Sequence, residues 1–400
     1  GATVPICTFT LQKSHIPERA GCYIKLSDFR GFEVQSPKVL EAINNRNCGW
    51  FYETKQNEFK KIPGKPLAYW VGSKELDLYV EGSTIDAIGQ PRKGMDTGEN
   101  VEFLRLWWEV PFSSCTSSNE TSVSKWFPYN KGGDFRRWYG NRDYVINWLS
   151  DGVAIKSRLH WSKKKPTIRN AKHFLQEGFS WTTVSSGGFS IRYSPEGALF
   201  DNGGCTLFSQ NKGDLFELAA LLNSNVAQRY LDFLSPTLNF QPGDVGRVLY
   251  RPNSNPNKVD KMIELCRQDW NQYERSWEFK FLSIMNTSTE SIEKDYSNWK
   301  LQNKNNIDEL KGLEENNNRL FINAYDLVDD LDPEVPINKI TLTVNPAYRY
   351  GVKGTEEERN TRFREDTMAE LVSYAIGCMM GRYSLDEPGL IYANSGNEGF

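Results

Sequence analysis

KWFPYNKGGDFRRWYGNRDYVINW, residues 125–148, places cations and aromatic rings on both sides of two adjacent glycines. Its last five residues, YVINW, are β-branched or aromatic apart from one asparagine and predict a short strand. The glycines predict a loop ahead of that strand. We expect the rings of the strand to pack in the core. The loop cations expected to face a negatively charged ligand are Lys131, Arg136 and Arg137.

The residues around this segment, from about 85 to 250, alternate short aromatic strands with glycine-rich turns. One long helix is predicted at 214–234, because apolar residues such as Leu215, Leu218 and Leu222 recur at helical spacing. Together these features predict an α+β fold with irregular strands and long loops. The predicted strands are residues 103–110, 144–148, 179–184, 189–193 and 205–209.

The two ends of the chain differ from this middle region. Residues 6–12 and 21–29 predict a β-hairpin, and a serine followed by a proline predicts a helix at 36–45. Between about 257 and 327 the apolar residues follow helical spacing in three successive stripes, which predicts antiparallel helices. A proline-punctuated linker and a helix at 364–383 follow them.

The composition argues against several classes of protein. The chain carries 48 basic and 51 acidic residues, for a net charge of −3, and no apolar run near the roughly 20 residues that a membrane span requires. Its seven cysteines form no C-x-x-C pair and it has three histidines, so neither a disulfide scaffold nor a zinc site is expected. We expect a cytoplasmic protein without a membrane partner. Because the pattern opens on Gly1 without an initiator methionine, we also expect a fragment of a longer protein.

The basic residues are concentrated in one part of the chain. Residues 125–173 contain twelve arginines and lysines against three aspartates, so this stretch carries +9 and the remainder −12. Such asymmetry is typical of a surface that binds a polyanion, and counterion release makes such binding salt-dependent. Two further loops, 90–103 and 182–195, combine glycines with hydroxyl and basic side chains, and Gly94 and Gly98 would let the backbone of the first approach a ligand closely. The candidate DNA-binding residues are Lys93, Thr97, Asn100, Asn130, Lys131, Arg136, Arg137, Asn141, Lys163, Lys164, Arg169, Ser186 and Arg192.

Several long blocks of this sequence carry a family resemblance. They are KGMDTGENVEFLRLWWEV (93–110), the opening segment 125–148, FSIRYSPEGALFDNGGCTLF (189–208) and LLNSNVAQRYLDFLSPTLNFQPGDVG (221–246). In order and spacing they resemble PglX, the adenine-specific DNA methyltransferases of BREX phage-defence systems. YAIGCMMGRYSLDEPGLIYA (374–393) resembles the C-terminal region of that family, so the likeness covers nearly all 400 residues. Type IIG restriction-modification enzymes share several of these blocks.

The resemblance implies a role for each part of the chain. Residues 81–252 would form a target recognition domain that binds double-stranded DNA. In it, Arg136, Arg137 and Arg192 would contact guanine or phosphate. Asn130 and Asn141 would be available to read adenine. The implied domains are the end of an α/β methyltransferase fold at 1–80, a target recognition domain at 81–252, a helical spacer at 253–330 and a mixed, mostly helical C-terminal region at 331–400.

The resemblance also implies a cofactor and partners. The full-length protein would transfer a methyl group from S-adenosylmethionine to the exocyclic amine of an adenine rotated out of the duplex. Other BREX subunits would be its partners, and phage DNA-mimic proteins would compete for its basic surface. The family's Asn-Pro-Pro-Tyr or Phe tetrapeptide and its glycine-rich cofactor loop do not occur in this sequence. VNPAY (344–348) has alanine in place of the second proline, so we expect catalytic residues and the cofactor site to lie outside this chain.

Two other functions remain open from the sequence. A nuclease-bearing type IIG enzyme would require clustered carboxylates with a lysine, and the only similar stretch, DPEVPINK (332–339), has the wrong order. A non-catalytic interaction module would use the helices at 257–327 to bind another defence protein, with the basic segment incidental. Salt-dependent binding to duplex DNA, and cleavage in the presence of magnesium, distinguish these possibilities.

Overall fold

The structure of the chain is a computed structural model. It describes residues 7–14, 16, 18–115, 124–161, 165–252, 258–287 and 291–392. The chain divides into two compact units, Gly1–Gly82 and Ser83–Phe400. Both helices and strands are present, and the predicted α+β class is confirmed.

The described part of the first unit contains two strands and two α-helices. Strand β1 (Ala20–Ile24) pairs antiparallel with β2 (Phe51–Lys55), and helix α1 (Phe32–Asn44) connects them. Helix α2 (Ser73–Glu81) ends the unit. The predicted hairpin between 6–12 and 21–29 is wrong, since residues 7–12 form no strand and β1 takes its partner from beyond α1.

The second unit contains short strands and helices of very different lengths. Its strands are β3 (Ser83–Thr84), β4 (Gly89–Arg92), β5 (Leu104–Leu106), β6 (Trp126–Asn130), β7 (Tyr144–Asn147), β8 (Gly178–Trp181), β9 (Ile191–Ser194), β10 (Leu199–Phe200), β11 (Thr206–Ser209) and β12 (Leu249–Tyr250). Its helices are α3 (Asn100–Phe103), α4 (Leu149–Trp161), α5 (Lys212–Leu222), α6 (Asn225–Leu234), α7 (Pro242–Gly246), α8 (Val259–Asn271), α9 (Ile292–Ala324), α10 (Pro346–Tyr350) and α11 (Glu356–Met379).

Within the described residues of the second unit, the strands form two four-stranded sheets and a separate pair. The first sheet has the order β10-β6-β7-β5, in which β10 runs parallel to β6 and the other pairs are antiparallel. The second sheet, β4-β11-β8-β9, is antiparallel throughout, and β12 pairs with β3. Because the strands are short, each sheet has many strand ends close together, and the loops that leave those ends lie next to one another.

Aromatic and aliphatic side chains cover both faces of the first sheet. One face packs Phe127, Tyr129 and Ile146 against Phe103 and its neighbours. The other face buries Trp126 and Val145 against Trp107. Because alternate residues of a strand point to opposite faces, β6 and β7 supply side chains to both clusters. The prediction that Trp148 belongs to the core is confirmed, whereas Tyr144 is exposed.

Helix boundaries depart from the sequence prediction in instructive ways. The predicted helix 214–234 is interrupted at Asn223 and Ser224, where the Ser224 hydroxyl accepts from the Ala227 amide and caps α6. The two stripes predicted as separate helices near 292–299 and 307–313 lie on one 33-residue helix, α9. The C-terminal helix α11 begins earlier than predicted, at a capping box between Thr355 and Glu358.

Strand predictions were accurate where aromatic and β-branched residues dominate. The runs at 144–148, 179–184, 189–193 and 205–209 correspond to β7, β8, β9 and β11. The predicted strand 103–110 is shorter, because β5 ends at Leu106 and a 3-10 turn, Trp107–Glu109, follows. Strands β4 and β6 contain prolines and were not predicted.

Candidate nucleic-acid interface

Strands of both sheets end at a common edge. Phe200 of β10 lies opposite Asn130 of β6, and Thr206 of β11 lies opposite both Arg92 and Ser180. The loops that leave these ends bond to one another: the Met95 amide donates to the Phe200 carbonyl at 3.0 Å, and the Asn202 amide donates to the Met95 carbonyl at 2.8 Å. We call this region the loop edge, and its segments are 93–97, 131–133, 182–186, 201–205 and 237–241.

Glycines let the segments of the loop edge approach each other closely. A Cβ atom on Gly94 would lie 1.9 Å from the Phe200 carbonyl oxygen, and one on Gly204 would lie 2.1 Å from that of Asn130. Gly132 has a φ of +99°, and a Cβ there would lie 2.9 Å from the Gly203 carbonyl oxygen. The prediction that Gly94 serves approach to a ligand is therefore corrected, since its neighbour is the protein's own backbone.

Asp201 organises the centre of the loop edge. Its buried carboxylate accepts from the Tyr129 hydroxyl at 2.8 Å, the Lys131 ammonium at 2.6 Å and the Gly203 amide at 2.6 Å. Burial and the neighbouring Asp201 hold the pKa of the Tyr129 hydroxyl well above its usual value, so Tyr129 remains a donor. Lys131, 28% of whose side chain is exposed, is thus partly neutralised by an internal partner.

Arg136 lies inside the protein. Its Nη1 donates to the Asp269 carboxylate of α8 at 3.2 Å, and Nη2 donates to the Thr343 hydroxyl. Asp269 also accepts from the Thr343 and Val344 amides, at 2.7 Å and 3.0 Å. With 5% of the side chain exposed, the expected contact between Arg136 and phosphate does not fit this position. Its charge is used to hold the loop after β6 against the helical region.

Arg137 and its neighbour bond to a second buried carboxylate. Arg137 Nη1 donates to Glu314 of α9 at 2.6 Å, and the Trp138 indole nitrogen donates to the other Glu314 oxygen at 2.7 Å. The Arg137 amide donates to the Thr341 hydroxyl at 3.0 Å. A direct contact between Arg137 and DNA stays a prediction that this geometry does not favour. Sequence spacing missed this arrangement because the bonded residues are 177 positions apart.

Arg192 is buried, and no carboxylate of the described residues forms an ion pair with it. Its Nη2 donates to the Thr182 hydroxyl at 3.3 Å, and its buried Nη1 makes no hydrogen bond in the described part of the chain. Burial lowers the pKa of the guanidinium to about 10, so it remains charged at neutral pH. Together with Asn130, Gly132, Asn141 and Tyr193 it lines a small cleft behind the loop edge.

The two asparagines expected to read adenine, Asn130 and Asn141, are also engaged within the protein. Asn130 Nδ2 donates to the Ser194 hydroxyl at 2.7 Å. Asn141 is buried, and its Nδ2 donates to the Asp134 carbonyl at 2.9 Å. Thr97 is fully buried, and its hydroxyl donates to the side chain of Asn100 at 2.8 Å, at the start of α3. The expectation that Asn141 and Thr97 face DNA therefore does not fit their burial, whereas Asn100 is exposed.

The remaining candidates lie on the surface or outside the structure. Ser186 and Arg169 are exposed. Lys163 and Lys164 lie outside the described residues. The structure therefore brings Lys93, Lys131 and Ser186 to the loop edge, and it directs Arg136 and Arg137 toward the helices instead.

A second loop adds exposed cations to the loop edge. Asp96 and Thr167 exchange backbone hydrogen bonds of 2.8 Å, and the Asn170 side chain donates to the Lys93 carbonyl at 2.8 Å. This pairing places loop 165–173 beside loop 93–97. We call the cations on these two loops, together with Arg92 at the end of β4, the basic edge: Arg92, Lys93, Lys165, Arg169 and Lys172.

The cations of the basic edge have no carboxylate partner within the described ranges. Lys93 Nζ donates to the neutral Gln241 side chain at 3.3 Å, and Arg92 bonds to Gln90 and to a carbonyl. The pKa of buried His173 is lowered, chiefly by burial and further by the charges of Arg92 and Lys172, which is what a locally positive potential produces. Arg92, Lys165 and Lys172 were not among the predicted site residues; for the last two, the charge count over 125–173 was the available signal.

Other kinds of site find little support in this fold. In the part of the chain that the structure describes, no three His, Cys, Asp or Glu side chains gather where they could hold a metal ion, and no helix is long and apolar enough to cross a membrane. Asn345 of the VNPAY stretch donates to the Ile337 and Ile340 carbonyls and accepts from the Ala347 amide. The hydrogen bonds of its side-chain amide are thus made to the backbone around the start of α10.

Comparison with known proteins finds similarity over nearly the whole chain. No family model matches the chain. An adenine-specific methyltransferase PglX from Lacticaseibacillus casei (strain Zhang) is 37% identical over 410 residues, covering 98% of this chain and 32% of that protein. An adenine-specific methyltransferase BrxX from Escherichia coli O9:H4 (strain HS) is 35% identical over 407 residues, covering 100% of this chain and 32% of that protein. The chain spans about a third of the length of these relatives, and over that third it is similar to PglX-type and BrxX-type adenine-specific methyltransferases.

Proposed function

We propose that this chain is the DNA-recognition and spacer portion of a site-specific adenine DNA methyltransferase of a BREX phage-defence system. The full-length protein transfers a methyl group from S-adenosylmethionine to the exocyclic amine of a target adenine. The catalytic tetrapeptide and the glycine-rich cofactor loop are supplied by sequence outside this chain. Double-stranded DNA and other BREX subunits are the partners, and phage DNA-mimic proteins compete for the same surface.

The basic edge carries this proposal. Its five cations lack carboxylate partners among the residues described, and they lie where loops of two sheets converge. Phosphate contacts from such side chains provide the sequence-independent part of DNA binding, while loops between strands reach the base edges. The similarity to adenine-specific methyltransferases makes DNA the polyanion that this surface is expected to bind.

An exposed apolar face in the first unit supports the assignment of residues 1–80 to the end of a methyltransferase fold. Helix α1 exposes Phe32, Leu40 and Ile43, with exposed fractions of 77%, 60% and 59%. Their spacing of eight and three residues places them on one face of the helix. An apolar stripe of this kind is expected where a two-stranded unit packs against the rest of a larger methyltransferase domain.

Duplex binding by the 400-residue chain tests the proposal. We expect Arg169→Glu combined with Lys172→Glu to weaken binding about tenfold or more and to reduce the slope of log affinity against log salt by about 1 to 2, since each lost phosphate contact removes nearly one released counterion. The matched control is Lys300→Glu with Lys304→Glu on the exposed face of α9, which changes the net charge equally.

Each alternative function predicts a different outcome. Fluorescence anisotropy with a labelled duplex between about 50 and 200 mM salt measures both affinity and slope. No salt-dependent binding by the wild-type chain would favour the interaction module. Cleavage of the duplex on addition of magnesium would favour a restriction enzyme. Equal weakening by both double variants would show that net charge, and not the basic edge, drives binding.

A further inference from the structure

The loop edge displays two aliphatic side chains among polar ones. Val184 is 65% exposed and Leu238 is 57% exposed. Their sequence neighbours are threonines, serines and an asparagine, in TTVSS (182–186) and PTLN (236–239). Neither side chain packs into the core that lies directly beneath them.

Hydrogen bonds fix the backbone that carries the two aliphatic residues. The Ser185 amide donates to the Leu238 carbonyl at 3.0 Å, and the Phe240 amide donates to the Thr183 carbonyl at 2.7 Å. The indole nitrogen of Trp181, which is fully buried, donates to the Phe240 carbonyl at 2.9 Å. Val184 and Leu238 therefore project from paired, anchored backbone, and their exposure is built into the fold.

Hydrogen bonds connect each of the two segments to a segment that carries a cation. Lys93 donates to Gln241, whose amide in turn donates to the Asn239 side chain, next to Leu238. The Thr182 hydroxyl donates to the Gly133 carbonyl at 2.8 Å, on the segment that carries Lys131. Phosphates would match these cations and stacked bases would match the aliphatic groups, which is the combination that a duplex offers at an opened base step.

We propose that Val184 and Leu238 form a wedge that enters the DNA base stack. The wedge occupies the step opened when a base leaves the duplex, and so offsets part of the lost stacking. This inference rests on the proposed function, because it requires that the loop edge faces DNA. A protein partner would use the same aliphatic groups without any dependence on the state of the base stack.

A duplex with one abasic position provides the test. Because a base is already missing from its stack, binding to it does not require the free energy of unstacking a base. We expect the wild-type chain to bind this duplex about tenfold more tightly than the intact duplex of the same sequence. Val184→Ser with Leu238→Ser should abolish that preference, so that the abasic and intact duplexes bind with equal affinity, and the salt slope, which the cations set, should be that of the wild type. Val184→Ile with Leu238→Met should retain the preference, because both keep an apolar side chain.

The matched control is Val372→Ser with Leu385→Ser, which removes two similarly exposed aliphatic groups elsewhere in the second unit. Thermal unfolding of all variants establishes that they are folded. If the wild-type chain binds both duplexes equally, or the serine pair keeps the preference, the wedge is wrong although the proposed function stands. If no salt-dependent duplex binding is found at all, both are wrong.

Discussion

The loop after β6 and the loop before β8 contain the same kinds of cation and use them in opposite ways. In the first, Arg136 and Arg137 reach buried carboxylates on α8 and α9. In the second, Arg169 and Lys172 remain exposed. The first set joins the sheets to the helices, and the second is available to a ligand. A high local density of basic residues therefore does not itself mark a binding surface; what matters is whether distant acidic residues reach them.

Removing a buried carboxylate should have the largest effect. We expect Glu314→Ala to lower the free energy of unfolding by about 3 to 5 kcal/mol, because it leaves Arg137 and the Trp138 indole without their acceptor in a buried site. Urea unfolding measures the loss.

The control is Glu309→Ala on the same helix, where the pair with Lys261 is solvent-exposed and worth less than about 1 kcal/mol. Similar losses for the two variants would mean that Arg137 does not clamp the loop, and its assignment to the DNA surface would have to be reconsidered.

Lys131 lies between the two kinds of cation and offers an intermediate effect. We expect Asp201→Asn to cost about 1 to 3 kcal/mol of stability, since the Tyr129 hydroxyl and the Gly203 amide lose a charged acceptor. The same change frees the Lys131 ammonium, so duplex affinity should rise and the salt slope should steepen by up to about 1.

Opposite signs for stability and for DNA affinity are the mark of a cation withdrawn from ligand binding by an internal partner. Urea unfolding and anisotropy on the same preparations provide both values. Lys131→Met combined with Asp201→Asn should cancel the gain in affinity but not the loss in stability. A fall in affinity for Asp201→Asn alone would place Lys131 with the structural cations.

Local sequence was sufficient for the elements whose residues decide their own conformation. The strand YVINW is found as β7, and the α+β class is confirmed, because alternating β-branched and aromatic residues specify strands locally. The break at Ser224 was missed because the apolar stripe continues across it. The Ser224 cap is local, but the hydrogen bonds of Asn223 to Ile191 of β9 depend on tertiary structure. The burial of Arg136 depends on Asp269, 133 residues away, and no local pattern indicates such a partner.

The predicted site was affected most by this limitation. Lys93, Lys131 and Arg169 were selected for charge near glycine-rich loops, and the loops do converge. The same reasoning selected Arg136 and Arg137, whose carboxylate partners come from a region predicted as a separate spacer. Whether any of these residues contacts DNA stays a prediction. Among the described residues, Lys93 and Arg169 have no carboxylate partner, whereas Arg136 and Arg137 form ion pairs with Asp269 and Glu314.

The smallest expected effect concerns a histidine that reports on the basic edge. The pKa of His173 is lowered by burial and by the nearby charges of Arg92 and Lys172. We expect Lys172→Gln to raise that pKa toward its ordinary value, and duplex DNA to raise it further in the wild type, because phosphates offset the positive potential. Proton NMR titration follows the imidazole, and the chain has three histidines to resolve.

The same lowered pKa sets the direction of a pH effect on stability. Since the folded state holds His173 neutral, the unfolded chain binds the extra proton first, and stability falls as pH drops through the unfolded pKa near 6.5, levelling off below the folded value. We expect His173→Phe, which keeps the stack on Phe208, to flatten this decline between about pH 7 and 5.5. An unchanged decline would show that other groups cause it. If, in addition, Lys172→Gln left the pKa of His173 where it was, the basic edge would not be the concentrated positive surface that distinguishes it from the buried arginines.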